Sequence, residues 1–158
     1  MTPKEHVESI KEKILKSNEF VLDSLSGAID RLQKAFPRYG SFLMEFIQNA
    51  DDAGSNSLTI EINGNCIKIF NDGRQFSKDD VESIYKVSRS SKFLISDCLE
   101  IHSGGYHFKF DKNAWNEPKQ IPWQVIPIWI DRPDIELPKG KTTAFIIPIR
   151  NSNLMNKL

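Results

Sequence analysis

Ser41-Phe42-Leu43-Met44-Glu45-Phe46-Ile47-Gln48-Asn49-Ala50-Asp51-Asp52-Ala53-Gly54 is the stretch that decides how this chain reads. At ~100° per residue, a helix places Glu45, Gln48, Asn49 and Asp52 on one narrow arc. Phe42, Leu43, Phe46, Ile47 and Ala50 fall on the opposite side, where a core belongs. The polar arc holds carboxylates and amides only. A solvated helix face usually mixes charge signs, whereas an all-oxygen face suits a hard cation such as Mg²⁺ with its water shell. For the helix taken alone, both readings stand. Gly54 is a natural C-terminal stop, so the helix is expected from about Tyr39 to Ala53.

Two short strands follow, Leu58 to Ile62 and Cys66 to Phe70, joined by the hairpin signal Asn63-Gly64-Asn65. The second strand runs into Asn71-Asp72-Gly73-Arg74-Gln75-Phe76. A glycine here lets backbone approach a ligand closely. Asn71 and Asp72 offer acceptors for an exocyclic amine, and Phe76 offers a face for a flat ring. The same residues also read as a plain turn before an N-capped helix. Ser77 and Asp80 make a variant capping box, and Val81, Ile84, Tyr85 and Val87 carry the helical spacing.

Upstream, Pro3 to about Lys34 is helical in pattern, with Pro3 in the first turn and Pro37 ending the run. Downstream of Ser91 the pattern turns to β. Leu99 and Ile101 lead to Ser103-Gly104-Gly105, then Tyr106, Phe108 and Phe110 alternate with polar residues, which is a hairpin. Residues 111–122 read as a loop. Trp123 to Ile130 and Thr143 to Ile149 read as strands, each at an edge or bulged because of Pro127 and Pro148. The expected architecture is a two-layer α/β sandwich with helices on one face of a mixed, mostly antiparallel sheet. Residues 1–36 form an N-terminal helical segment packing on the domain, 37–150 the sandwich and 151–158 a tail.

The 158 residues suit one domain with a real core. Lys plus Arg and Asp plus Glu number 21 each, so the basic excess of a nucleic-acid binder is missing. Cys66 and Cys98 sit in apolar runs and form no Cys-x-x-Cys pair, which reads as free thiols in a reducing compartment. The charged N-terminus has no apolar signal region, and no run reaches membrane-spanning length. A cytoplasmic protein is expected. His6, His102 and His107 lack metal-ligand spacing with the cysteines and read as surface or strand-face residues. No Gly-x-Ser-x-Gly elbow or Walker-type loop occurs.

The helix, the hairpin and the Asn-Asp-Gly turn occur together and in this order. Glu45-x-x-x-Asn49-x-x-Asp52-Ala53 resembles the N-box of the ATPase family shared by gyrase, heat-shock chaperones, histidine kinases and mismatch-repair proteins. Asn71-Asp72-Gly73-Arg74-Gln75-Phe76 resembles its first glycine box. Ser90-Ser91-Lys92, Ile101-His102-Ser103-Gly104-Gly105-Tyr106, the strand from Trp123 to Trp129 and Thr142-Thr143-Ala144-Phe145 look like the sacsin-like and large-heat-shock-chaperone-like branch. The resemblance covers roughly residues 20–150.

That resemblance implies a Bergerat-type fold binding ATP or ADP with Mg²⁺. It implies Glu45 as the general base for the water that attacks the γ-phosphate, and Asn49 as the metal-binding residue. Asp52 would stand near the adenine or the metal, and Ala53 belongs to the same motif. Asn71 would read the adenine amine, with Asp72 in its place if the register slips by one. Gly73 would let the turn approach the base, and Phe76 would pack on it. Thr143 would contact adenine through a water, and Lys92 would contact phosphate.

Two departures stand out. Gln75 replaces the second glycine of the first box. The second glycine box, whose amides would cradle phosphates, is missing: Lys92 is followed directly by Phe93-Leu94-Ile95-Ser96-Asp97. Gly104-Gly105 reads as a hairpin turn instead. The resemblance therefore implies a chaperone-like or conformational ATPase domain, part of a longer chain with further domains and a possible protein client, and weak in hydrolysis because its lid is absent. The alternative is a non-enzymatic interaction module with a vestigial pocket.

Overall fold

The computed structural model describes residues 1–17, 27, 41–84 and 97–148, with residues 41–45 described by their backbone alone. Six strands form one sheet: β1 (Leu58–Asn63), β2 (Cys66–Asn71), β3 (Cys98–Ser103), β4 (Tyr106–Asp111), β5 (Ile128–Trp129) and β6 (Thr143–Pro148). Their order is β1-β2-β6-β3-β4-β5, and every ladder among them is antiparallel. Three α-helices accompany them: α1 (Pro3–Leu15), α2 (Ser41–Asp52) and α3 (Lys78–Ile84).

The register aligns side chains in rows across the sheet. Ile60, Ile69, Phe145, Ile101, Phe108 and Trp129 make one row. Two residues along, on the same face because side chains alternate, lie Ile62, Ile67 and Ile147, with the Leu99–Phe110 pair at the same level. The buried members of these rows join Val7 of α1, Phe46 of α2, and Val81 and Ile84 of α3 in one core cluster. All three helices thus cover one face of the sheet, and the molecule is a two-layer α/β sandwich. Each fully buried large apolar side chain contributes about 1.5–3 kcal/mol. At the open edge, β1 leaves Ile60 and Ile62 at 41% and 59% exposure.

Helix ends follow local chemistry. Thr2 Oγ1 accepts from the Glu5 N–H and Glu5 Oε2 accepts from the Thr2 N–H, a full capping box. At the far end of α2, Gly54 takes φ +72°. Its N–H donates to Asp51 O, and the Ser55 N–H donates to Ala50 O, the paired bonds of a Schellman stop. Ser77 and Asp80 cap α3 reciprocally. Gly104, at φ +58°, opens the tight turn between β3 and β4, so the diglycine is a hairpin turn.

Several expectations change. The run from Trp123 to Ile130 is not a strand: Trp123–Val125 is a 3₁₀ turn, and only Ile128–Trp129 pairs with β4. β6 is no edge strand but lies between β2 and β3. Pro148 is tolerated there because it ends the strand, opposite Cys66 at the start of β2. α1 closes at Leu15, and much of the expected continuation to Lys34 falls outside the described residues, as do Tyr85 and Val87. Ile47 is 42% exposed, not core. His6 and His102 are buried, at 4% and 2% exposure. His6 bridges elements, its Nδ1 2.9 Å from the Tyr106 hydroxyl and its Nε2 3.1 Å from Glu82 Oε1. On the opposite face of the sheet, His102 Nδ1 meets His107 Nδ1 at 2.9 Å. Burial and the neighbouring His102 hold the His107 imidazole below its ordinary pKa. Both cysteines are free and half-buried. No helix among the described residues is long and apolar enough to cross a membrane.

Candidate functional site

A cavity of about 90 Å³ opens where the C-terminal end of α2, the turn after β2 and helix α3 meet. α2 contributes Asn49 and Asp52, the residue that follows it Ala53, the turn Arg74 and Phe76, and α3 Asp80, Ser83 and Ile84. This volume holds several waters but is below the few hundred Å³ of a site that encloses a drug-sized ligand.

The turn is tied to α2 at Ala53. The Arg74 N–H donates to Ala53 O at 2.8 Å. A Cβ on Gly73 would stand 2.8 Å from Ala53 Cβ and 2.9 Å from Ala53 O. Glycine is therefore required at 73 for the turn to lie against the helix. Arg74 forms a two-pronged ion pair with Asp80, at 2.7 and 3.3 Å. Asp80 Oδ2 also accepts from the Ser77 N–H and hydroxyl, so the α3 cap and the cavity rim share one carboxylate.

Behind the Ala53 and Phe76 wall lies a polar row of the sheet. Asn71, Thr143, Ser103 and Tyr106 stand opposite one another across β2, β6, β3 and β4. Asn71, Ser103 and Thr143 are each no more than 2% exposed. Ser103 Oγ and Thr143 Oγ1 are 2.7 Å apart, and the Phe76 N–H donates to Ser103 Oγ. Thr142 Oγ1 donates to Gly73 O at 2.6 Å. Asn71 Oδ1 accepts the Gly73 N–H at 3.0 Å. Neither Asn71 nor Thr143 lines the cavity itself; both reach its wall through Gly73 and Phe76.

Among the expected site residues, Asn49 is half-buried and Asp52 exposed, both on the cavity wall with Ala53 and Phe76. Asp72 stands elsewhere. Its Oδ1 accepts from the Ser55 hydroxyl and the Asn56 and Ser57 N–H groups, and its Oδ2 from the Ser57 hydroxyl. These bonds, led by those from Ser55 and Ser57, hold its carboxyl well below the usual carboxylate range. Asp72 latches the loop after α2 and is not among the residues that line the cavity. The Glu45 side chain and all of Lys92 lie outside the described residues. Sequence reading missed Arg74, Asp80, Ser83 and Ile84 as wall residues, and Ser103 as the acceptor for Phe76. The reciprocal Ser77–Asp80 cap was the one signal that α3 begins at this site.

Asn49 and Asp52 both carry side-chain oxygens and both line the cavity. No group of three or more His, Cys, Asp or Glu side chains among the described residues is arranged to hold a metal.

No family model matches this chain. The chain is 28% identical over 117 residues to Protein NO VEIN of Arabidopsis thaliana, covering 60% of this chain and 4% of that protein. It thus spans a small fraction of that relative's length. Among solved structures it is similar to the 43K ATPase domain of Thermus thermophilus gyrase B in complex with an aminocoumarin. That similarity has a TM-score of 0.48 and 17% identity, over 87% of this chain and 42% of the other.

Proposed function

We propose that this domain binds a purine nucleotide, with ATP and ADP the ligands its resemblance implies, as the switching element of a longer, chaperone-like or conformational ATPase. The observation that carries the reading is the cavity itself. Two of its walls come from the two sequence motifs: Asn49, Asp52 and Ala53 at the end of α2, and Arg74 and Phe76 after β2. A ring enters between Ala53 and Phe76, and the phosphate tail leaves toward the oxygen-rich end of α2. Asn49 would hold the Mg²⁺ that accompanies the phosphates, and the metal would supply neutralisation of their charge. Glu45, a turn earlier on the same helix, is the residue proposed to activate water.

Turnover is proposed to be slow. Residues 85–96, between α3 and β3, contain no glycine, so this segment supplies no glycine-rich amide cradle of the kind that grips phosphates. Without such a lid, water is poorly excluded. Further domains and a protein client would then read the bound state.

Titration calorimetry with ADP or another purine nucleoside diphosphate, with and without Mg²⁺, tests the reading. Saturable binding is expected, strengthened by Mg²⁺, and Asn49→Ala should remove the Mg²⁺ effect. Ala53→Trp, which fills the cavity mouth, should abolish binding. A folded protein that gives no heat at millimolar nucleotide contradicts the proposal.

A further inference from the structure

The two edges of the sheet are built differently. At one, β5 is two residues long, and so short a strand offers little backbone to an incoming chain. At the other, β1 runs six residues in unbroken one-to-one register with β2. Edge strands avoid pairing with other chains through brevity, prolines, bulges or lysines, and β1 has none of these. Its one charged residue is Glu61. Among the described residues no strand lies beyond β1.

The outer side of β1 offers both backbone and apolar surface. The turn Gly64-Asn65 closes on the Asn63–Cys66 pair, and bonding alternates along an antiparallel ladder. Asn63, Glu61 and Thr59 therefore direct their backbone groups to β2, while Leu58, Ile60 and Ile62 direct theirs outward. The same three residues carry the apolar side chains of the strand, and Ile60 and Ile62 stay 41% and 59% exposed. A lone exposed apolar residue is ordinary on a surface. Two on one face of an unprotected edge form a pairing surface.

We infer that β1 pairs antiparallel with β1 of a second copy of this chain, with Ile60 opposite Ile60 on the two-fold axis. The strand's own sequence selects this occupant and this register. With Ile60 on the axis, Ile62 of each copy faces Leu58 of the other, and Glu61 faces Thr59. Apolar residues meet on one face, and no like charges meet on the other. A two-residue slip one way sets Glu61 against Glu61, which is unfavourable. The same slip the other way sets Ile62 against Asn56, outside the strand. A one-residue slip pairs side chains of opposite faces. The contact is self-complementary and closes as a dimer, with one sheet running through both copies.

Sedimentation equilibrium of the chain in nucleotide-free buffer tests this, independently of the nucleotide reading. The mass is expected to rise from one copy to two, and no further, across the micromolar range. Amide exchange should slow with the same concentration dependence at Ile60 and Ile62, whose N–H groups face the second copy. Ile60→Lys sets two lysines against each other at the axis and should return the mass to one copy. Ile62→Lys, at the more exposed position, should do the same, with the circular dichroism spectrum of the parent retained. A single-copy mass at millimolar concentration overturns the inference. So does a dimer that persists in both folded lysine variants, or one that leaves exchange at Ile60 and Ile62 unchanged.

Discussion

Two neighbouring rows of the same sheet face are built for different ends. The row Ile69–Phe145–Ile101–Phe108 is apolar across four adjoining strands and is 0–1% exposed. One step toward the α2 terminus, Asn71–Thr143–Ser103–Tyr106 is polar throughout and buried almost as deeply. Apolar burial rewards area and tolerates adjustment. A buried polar row stabilises only if each group finds a partner, and it penalises the fold when one does not. The first row holds the helices on the sheet. The second lies at the cavity end, where Asn71 accepts from the Gly73 N–H and Ser103, bonded to Thr143, accepts from the Phe76 N–H, while the Tyr106 hydroxyl meets His6.

The difference can be broken from either side. Phe145→Ala, in the apolar row beneath Phe46 and Phe76, should cost about 3–5 kcal/mol in denaturant unfolding, the largest effect expected. A loss under 1 kcal/mol would mean that this row does not anchor α2. Gly73→Ala should cost about 1–3 kcal/mol, because the new methyl meets the Ala53 carbonyl, which cannot move without α2. It should also weaken nucleotide binding. Ser103→Ala removes the partner of Thr143 and of the Phe76 N–H. About 1 kcal/mol of stability should go, with a larger proportional loss in ligand affinity than Phe145→Val produces.

The smallest effect is one of pH. The Asp72 pKa is lowered in the folded state, so its contribution is present above the unfolded carboxylate value of about 3.9 and fades as pH falls below it. Asp72→Asn should be less stable than the parent at pH 7. In chemical denaturation the two curves should converge as pH falls toward 3. A constant gap would show that the Ser55–Ser57 latch does not depend on the carboxylate charge.

The apolar architecture was legible in the sequence. α2, the β1–β2 and β3–β4 hairpins and the capped α3 each carry a period or turn signal that acts over a few residues. What was not legible depended on distant partners. Whether Thr143 to Ile149 is an edge or interior strand turns on what pairs beside it, and Pro148 gave the wrong cue because it sits at the strand end. His6 looks like a surface residue until Tyr106 and Glu82 close on it. The candidate site was half legible. Asn49, Asp52, Ala53 and Phe76 follow from their motifs, but Asp72 is claimed by three residues of the preceding loop, and Arg74 and Asp80 meet only once the turn folds.

The most direct test of the account is a ¹⁵N-resolved NMR titration with a Mg²⁺-bound purine nucleoside diphosphate. Occupancy of the cavity predicts that the Gly73 and Phe76 backbone amides and the Asn71 side-chain amide shift together and saturate at one concentration. Ile67 and Phe110, at the far end of the same face, should stay still. Saturating shifts centred on that far end, with Gly73, Phe76 and Asn71 unmoved, would contradict it.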